Sequence, residues 1–393
     1  MEQFRKYFIY ASSIIFSRGL EYLVMLFAAY FLTKFHYGEL EFYKKTVELG
    51  ASLLAFGFPS LIMSYTRSNE SKVNFYLLSF LFIIMLSAVS LIFLSFTTYF
   101  ILVIPFMFYA LFFTGGTTHS YLLVFKGSSY ASVFKILTSA AFYSVLFILI
   151  YFFQFKGKAY IYTNYILIGP LLIYSSIELR NQFIAKRIKI RNYFGLFTRL
   201  LASSLTLVLS NFINIMFLYT DIFILKILSE RANEDIANYS FYLNIAAILL
   251  IIPMTLVQVD IEKLKSDKGY IKSLNKKITY LVIFASLILI LAFKVLTNYM
   301  FTDYREMFLL FLFILIAKGF QALSTLYGTM IVVEKRFKIN FIINIVAFAG
   351  NIIISIALFF KFGIYGVAIS SLLTIGLRQL FLVKYYVNIT KDQ

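Results

Sequence analysis

Two cations stand deep inside apolar text. Arg18 lies in SSIIFSRGLEYLVMLF and Lys318 in LLFLFILIAKGFQAL. An ionisable side chain at the centre of a bilayer costs at least about 2.5–3.5 kcal/mol, so each asks for a reason to be there. Lys318 falls some twelve residues into its apolar stretch, roughly 18 Å at 1.5 Å per residue, which keeps its ammonium away from both interfaces. Fixed cations facing a protein-lined cavity suit one kind of chemistry. They give charge-assisted hydrogen bonds to a compact anion such as a phosphate or diphosphate. Glu21 follows Arg18 by three residues and shares its helix face, so it is read either as a local ion-pair partner or as a group that tunes the cation.

Further polar residues join this set. Asp221 sits about six residues from the outer end of its apolar stretch, where it either helps helices pack or serves the site. Glu41, Lys44, Lys45 and Glu48 form i,i+4 pairs near the start of another stretch, on a half-solvated face or at a cavity mouth. Arg378 lies near the cytoplasmic end of the last stretch and is long enough to snorkel. Asn211 and Asn214 enter through a repeat described below. The candidate substrate-binding residues are thus Arg18, Glu21, Lys318, Asp221, Lys45, Arg378, Asn211 and Asn214. His119, among Thr117, Thr118 and Ser120, titrates near neutral pH if solvated, though a hydrogen-bonded packing role fits it better. Pro59, Pro105, Pro170 and Pro253 are expected within spans as weak hinges.

Other chemistries lack their residues. With no Cys, disulfides and thiolate metal sites are excluded. His36 and His119 alone do not make a metal centre, and no cofactor is expected. P-loop, dinucleotide and nucleophile-elbow motifs are all missing, so neither an ATP-driven pump nor an enzyme is expected.

The elements that hold these residues are apolar and long. Of 393 residues, 61% are hydrophobic and 14% charged, far from the roughly 45–50% and 25% of soluble domains. Twelve stretches are long enough to span about 30 Å: 8–32, 42–66, 74–95, 99–125, 130–154, 159–179, 199–227, 236–259, 278–300, 306–332, 339–360 and 364–385. The second is the least hydrophobic. With the N-terminus inside, Lys and Arg divide 24 to 10 between cytoplasmic and outer loops, which places both termini in the cytoplasm. The net charge of +18 is thereby a topology signal, and nucleic acid is set aside. The expected fold is an all-α membrane protein of two six-helix lobes around a central cavity. Residues 1–180 and 199–393 are the lobes, and the basic segment 181–198 connects them on the cytoplasmic side.

The halves look related. A shift of 193 residues places Ser13 on Thr206, Ser17 on Ser210, Arg18 on Asn211 and Glu21 on Asn214; one residue later Pro59 falls on Pro253. A shift of 209 sets 114–120 over 323–329 and Lys126 over Lys335. Because six spans is an even number, both halves enter the membrane in the same sense. Parallel repeats of this kind are a transporter architecture.

The segments FINIMFLYTDIFILKILSERANEDIANYSFYLNIAAILLIIP and EKRFKINFIINIVAFAGNIIISIALFFKFGIYGVAISSLL resemble helices seven and eight, and eleven and twelve, of Wzx-type O-antigen and polysaccharide flippases. These belong to the multidrug/oligosaccharidyl-lipid/polysaccharide exporter superfamily. The likeness covers essentially the whole chain, but its motifs are patterns rather than a catalytic signature. Asp221 matches the family's helix-seven Asp, whereas the family's cavity cations vary, so Arg18 and Lys318 rest on depth and charge alone. The resemblance implies an oligosaccharide on an undecaprenyl diphosphate carrier, moved to the periplasmic leaflet of a bacterial inner membrane by alternating access. Membrane lipids and the polymerase of the same pathway are the expected partners, and the driving force is left open between a coupling ion, H+ or Na+, and the membrane potential. A multidrug extruder of the same superfamily is the alternative, but a site for cationic drugs calls for acidic groups. An O-antigen polymerase calls for a large outward loop bearing arginines, which this chain lacks.

Overall fold

Apolar text broken at a few Gly, Pro and polar clusters folds as one helix after another. The computed structural model describes residues 2–66, 68–113, 115–260, 264, 268–334 and 336–391. Side chains are described from Ser12 onward, except at 60, 64, 65, 202–204, 206, 207, 211, 258, 259, 268, 332, 337 and 388–391. The described residues form α-helices and short 3₁₀ turns without a strand. The helices are α1 (Glu2–Phe31), α2 (Lys34–Leu54), α3 (Phe58–Tyr65), α4 (Asn69–Leu94), α5 (Val103–Phe112), α6 (Thr117–Phe125), α7 (Ser128–Tyr151) and α8 (Ala159–Ile184). After them come α9 (Ile190–Leu228), α10 (Ala232–Ala247), α11 (Ile251–Val259), α12 (Lys268–Tyr299), α13 (Phe308–Val333), α14 (Phe337–Phe362) and α15 (Ile364–Lys391).

Ten stretches among the described residues are long and apolar enough to cross a membrane, and the protein is an all-α, multi-pass membrane protein. The other two expected spans fall on α2 and α8. Both are long helices, but α2 carries Glu39, Glu41, Lys44, Lys45 and Glu48, and α8 carries Glu178, Arg180, Asn181 and Gln182.

Three expected spans are each split in two. Span 42–66 breaks at residues 55–57, where Phe56 and Gly57 take positive φ values of 46° and 70°. Span 99–125 breaks before α6, where Gly115 has φ 83°. Span 236–259 tightens into a 3₁₀ turn at Ile248–Leu250. Proline explains where two of the second pieces, α3 and α11, begin. Its ring presets a helical φ and it lacks an N–H, so it is tolerated in a helix's first turn, where that N–H has no partner anyway. Pro59, Pro105 and Pro253 stand in the first turns of α3, α5 and α11, while only Pro170 lies inside a helix. The two prolines that the repeat aligns therefore do the same local job. The basic connection, expected at 181–198, is mostly helix as well, and only residues 185–189 separate α8 from α9. Asn74 fastens them: its Nδ2 donates to the Arg187 carbonyl (2.7 Å) and its Oδ1 accepts from the Lys189 N–H (2.6 Å).

The chain divides into two compact units. One comprises Met1–Phe31 with Tyr43–Phe212, the other Leu32–Phe42 with Ile213–Gln393. In the first, α1 packs along α7, tied by a Ser17–Ser139 hydroxyl bond of 2.6 Å. Phe142 centres an aromatic core with Phe108, Phe113, Tyr143 and Tyr160. In the second, α15 lies between α13 and α14. A Cβ added at Gly366 would collide with the Leu358 carbonyl oxygen, so that approach requires glycine.

Candidate functional site

In the first unit the polar residues converge on Glu21. Being one helical turn from Arg18, its Oε2 accepts from the Arg18 guanidinium at 2.7 Å. From α2, the Lys44 ammonium reaches Oε1, also at 2.7 Å. Glu21, Lys44, Lys45 and Lys135 are all buried, whereas the Arg18 side chain stays 46% exposed. Lys45 acts electrostatically on Glu21, Lys135 on Arg18, and Glu48 on Arg18. Four cations therefore share this region with two carboxylates. Burial keeps such charges weakly screened, and the surplus is positive. Of these four cations, Arg18 is the one with an exposed side chain. The local Arg18–Glu21 pair expected from spacing is present, and Lys44, which the sequence placed only among i,i+4 partners, makes it a triad.

The second unit holds a different arrangement. Asp221 on α9 is buried, and both its oxygens accept. Ser371 Oγ on α15 lies 2.7 Å from Oδ1 and 2.6 Å from Oδ2. Tyr239 Oη on α10 donates to Oδ2, and Asn351 Nδ2 on α14 reaches Oδ1 at 3.4 Å. Asn351 is itself held by Ser355 (3.2 Å) and Ser370 (2.9 Å). One carboxylate thus joins four helices. Beside it, a small cavity of about 10 Å³ is lined by Asp221, Tyr239, Lys318, Ser371 and the apolar side chains of Phe217, Leu218, Leu243, Ile314, Ala317 and Ile375. Lys318 is buried and donates to Gln321 Oε1 at 2.7 Å. Its charge also acts on Asp221. Lys318 is thus accompanied by Gln321, one turn on, and by Asp221, brought in by α9.

Arg378 on α15 is hydrogen-bonded to side chains of α14 and α13. Its Nε donates to Asn344 Oδ1 at 2.9 Å and a terminal nitrogen to Ser324 Oγ at 3.3 Å. The guanidinium lies 5.8 Å from the ring centroid of Phe217, a cavity residue. Asn214 is half-buried on α9, and Asn211 lies outside the described residues. His119 is buried on α6. The structure therefore groups Arg18, Glu21 and Lys45 in one unit and Asp221 with Lys318 in the other. Sequence reasoning missed Tyr239, Asn351 and Ser371. A signal existed for the last two, since Asn and paired Ser inside apolar spans need hydrogen-bond partners.

No family model matches the chain, and no curated protein matches it in sequence. Solved structures do match in fold. A mutant of the Vibrio cholerae MATE transporter VcmN aligns with a TM-score of 0.63 at 10% identity, over 99% of this chain and 96% of that one. The lipid II flippase MurJ, in an inward closed conformation, aligns at 0.63 and 15% identity, over 96% and 87%. An inward-facing multidrug resistance MATE family transporter of the MOP superfamily aligns at 0.62 and 13% identity, over 97% and 96%. The chain has the fold that these membrane transporters share.

Proposed function

We propose that the protein is a flippase for an undecaprenyl-diphosphate-linked oligosaccharide. In this reading it carries the unit from the cytoplasmic to the periplasmic leaflet of a bacterial inner membrane, for cell-surface polysaccharide synthesis. The observation that carries the reading is the positive surplus around Glu21, with the Arg18 side chain exposed. A diphosphate leaving water needs cations already in place, and these are positioned by α1, α2 and α7 before it arrives. A fold shared with a lipid II flippase supports the same reading. The two compact units serve as the two lobes, both termini face the cytoplasm, and the carrier's lipid tail stays in the bilayer during transfer. Asp221 carries the coupling ion, H+ or Na+, while Lys318 beside it senses either the ion or the substrate's charge. Arg378 and Asn214 line the pathway of the second lobe, and the pathway's polymerase receives the product.

A drug-extruder reading draws on the equally similar MATE folds. Buried cations near the entry charge weigh against cationic drugs, because like charges repel across a weakly screened site. Substitution separates the two. Arg18→Ala and Lys318→Ala abolish transport of a fluorescent lipid-diphosphate sugar by reconstituted protein at unchanged membrane levels, whereas Lys268→Ala leaves it intact. Normal lipid-diphosphate transport by both deep-site variants refutes the cationic site.

A further inference from the structure

Glu41 is a buried carboxylate that the proposed pathway does not use. It lies in the second unit, on the first turns of α2, with no measurable exposure. All its hydrogen bonds fall on one oxygen: Oε1 accepts from Tyr37 Oη at 3.1 Å and from Asn244 Nδ2 at 2.5 Å. The other oxygen, Oε2, is buried and has no hydrogen-bond partner. Facing the same cluster is Tyr304, whose hydroxyl is likewise buried and unpartnered and which couples electrostatically to both Glu41 and Tyr37. Asp221 contrasts with this arrangement, since hydrogen bonds reach both of its oxygens.

The cluster is held in shape. Gly38 presses against α10 so closely that a Cβ there would collide with the Asn233 carbonyl oxygen. Over the outer side, the turn at Thr302–Tyr304 is pinned three ways. Tyr242 Oη donates to the Tyr304 carbonyl at 2.8 Å, Lys34 Nζ donates to the Asp303 carbonyl at 2.7 Å, and the Tyr304 ring stacks on Phe241 at 4.1 Å. The titratable groups around Glu41 come from two elements. Its own helix carries Tyr37 and, three and four residues on, the buried Lys44 and Lys45, and the turn carries Tyr304 with Asp303 behind it. From α10 comes Asn244, which does not titrate. Lys34 stands at the rim, 5.0 Å from the centroid of the Tyr304 ring.

A carboxylate removed from water costs several kcal/mol, and two neutral donors on one oxygen leave the second oxygen's lone pairs unmet. One small cation answers both deficits. We propose that Glu41 is a cation-binding carboxylate that takes a proton or a sodium ion at Oε2, as a site separate from Asp221. A proton would form the O–H of a neutral acid; a sodium ion would bridge Oε2 and the Tyr304 hydroxyl, both being the hard oxygen donors that it prefers. The site rests on its own geometry and holds whatever the transported substrate is.

The test uses the purified full chain in lipid nanodiscs as wild type, Glu41→Gln and Asp221→Asn. Infrared spectra at neutral pH read the carbonyl band of a protonated carboxylic acid. Thermal melts in sodium chloride, against equal choline chloride, read sodium binding. A band lost only in Glu41→Gln identifies the proton. A sodium-dependent rise in melting temperature lost only in Glu41→Gln identifies the metal ion. If Glu41→Gln leaves both signals as in wild type, or if wild type shows neither, the proposal fails. Should Glu41→Gln not fold, Glu41→Asp replaces it: withdrawing the carboxyl by one methylene shifts the acid band or reduces the sodium effect, and unchanged signals overturn the site.

Discussion

Glu21 accepts from two cations at once, each at 2.7 Å, and this makes it the pivot of the first unit. Truncating one partner of a buried charge network leaves the others uncompensated and costs about 3–5 kcal/mol. Glu21→Ala should therefore melt markedly below wild type, and adding Lys44→Ala should recover part of the loss; additive losses in the double variant would contradict the triad. At Asp221 the balance differs, because three hydrogen-bonding side chains on three other helices depend on it. Asp221→Ala should cost about 1–3 kcal/mol, the usual penalty for stranded buried donors, while Asp221→Asn should retain most of the stability. Equal melting temperatures for the two variants would deny the network. Depth and charge alone made Arg18, Glu21, Asp221 and Lys318 legible in the sequence. Their partners were less so, since Lys44 reaches Glu21 from a different helix and Tyr239 reaches Asp221 from 18 positions away. Spacing rules predict neighbours on one helix, and these contacts are made between helices.

Helices as a class were legible because apolar length is a strong signal, while their breaks were not. Span 42–66 reads as one apolar stretch, yet it bends where Phe56 and Gly57 take positive φ. The text AFGFP carries that bend in its Gly and Pro, which a hydropathy window averages away. Helix α2 was faint for a related reason: its charges lower its hydropathy, yet Lys44, Lys45 and Glu41 are buried inside the protein rather than facing lipid. Between α14 and α15 the limiting contact is backbone against backbone at Gly366. Gly366→Ala should cost about 1–3 kcal/mol, as overpacking generally does, whereas Gly169→Ala, with open space around its Cβ position, should be tolerated. Their melting temperatures in matched detergent check this, and equal values would refute the close approach.

At the scale of the whole molecule, the ten membrane-long stretches among the described residues and the shared transporter fold account for a chain that is 61% hydrophobic. The distribution of Lys and Arg predicts which loops face the cytoplasm. Because the chain has no native Cys, single cysteines test this directly. A Cys replacing Lys268 or Lys189 should stay protected from an impermeant maleimide applied to intact cells, and one replacing Lys156 or Asp303 should react; the reverse pattern would invert the topology. The central claim concerns what is moved, and one measurement addresses it best. Deleting the gene in its host and extracting lipid-linked sugars from each leaflet should show complete oligosaccharide units accumulating on the cytoplasmic side, with Arg18→Ala failing to relieve the block and wild type relieving it. Single units that reach the periplasm but fail to join into chains, or no change in either pool, would contradict the account.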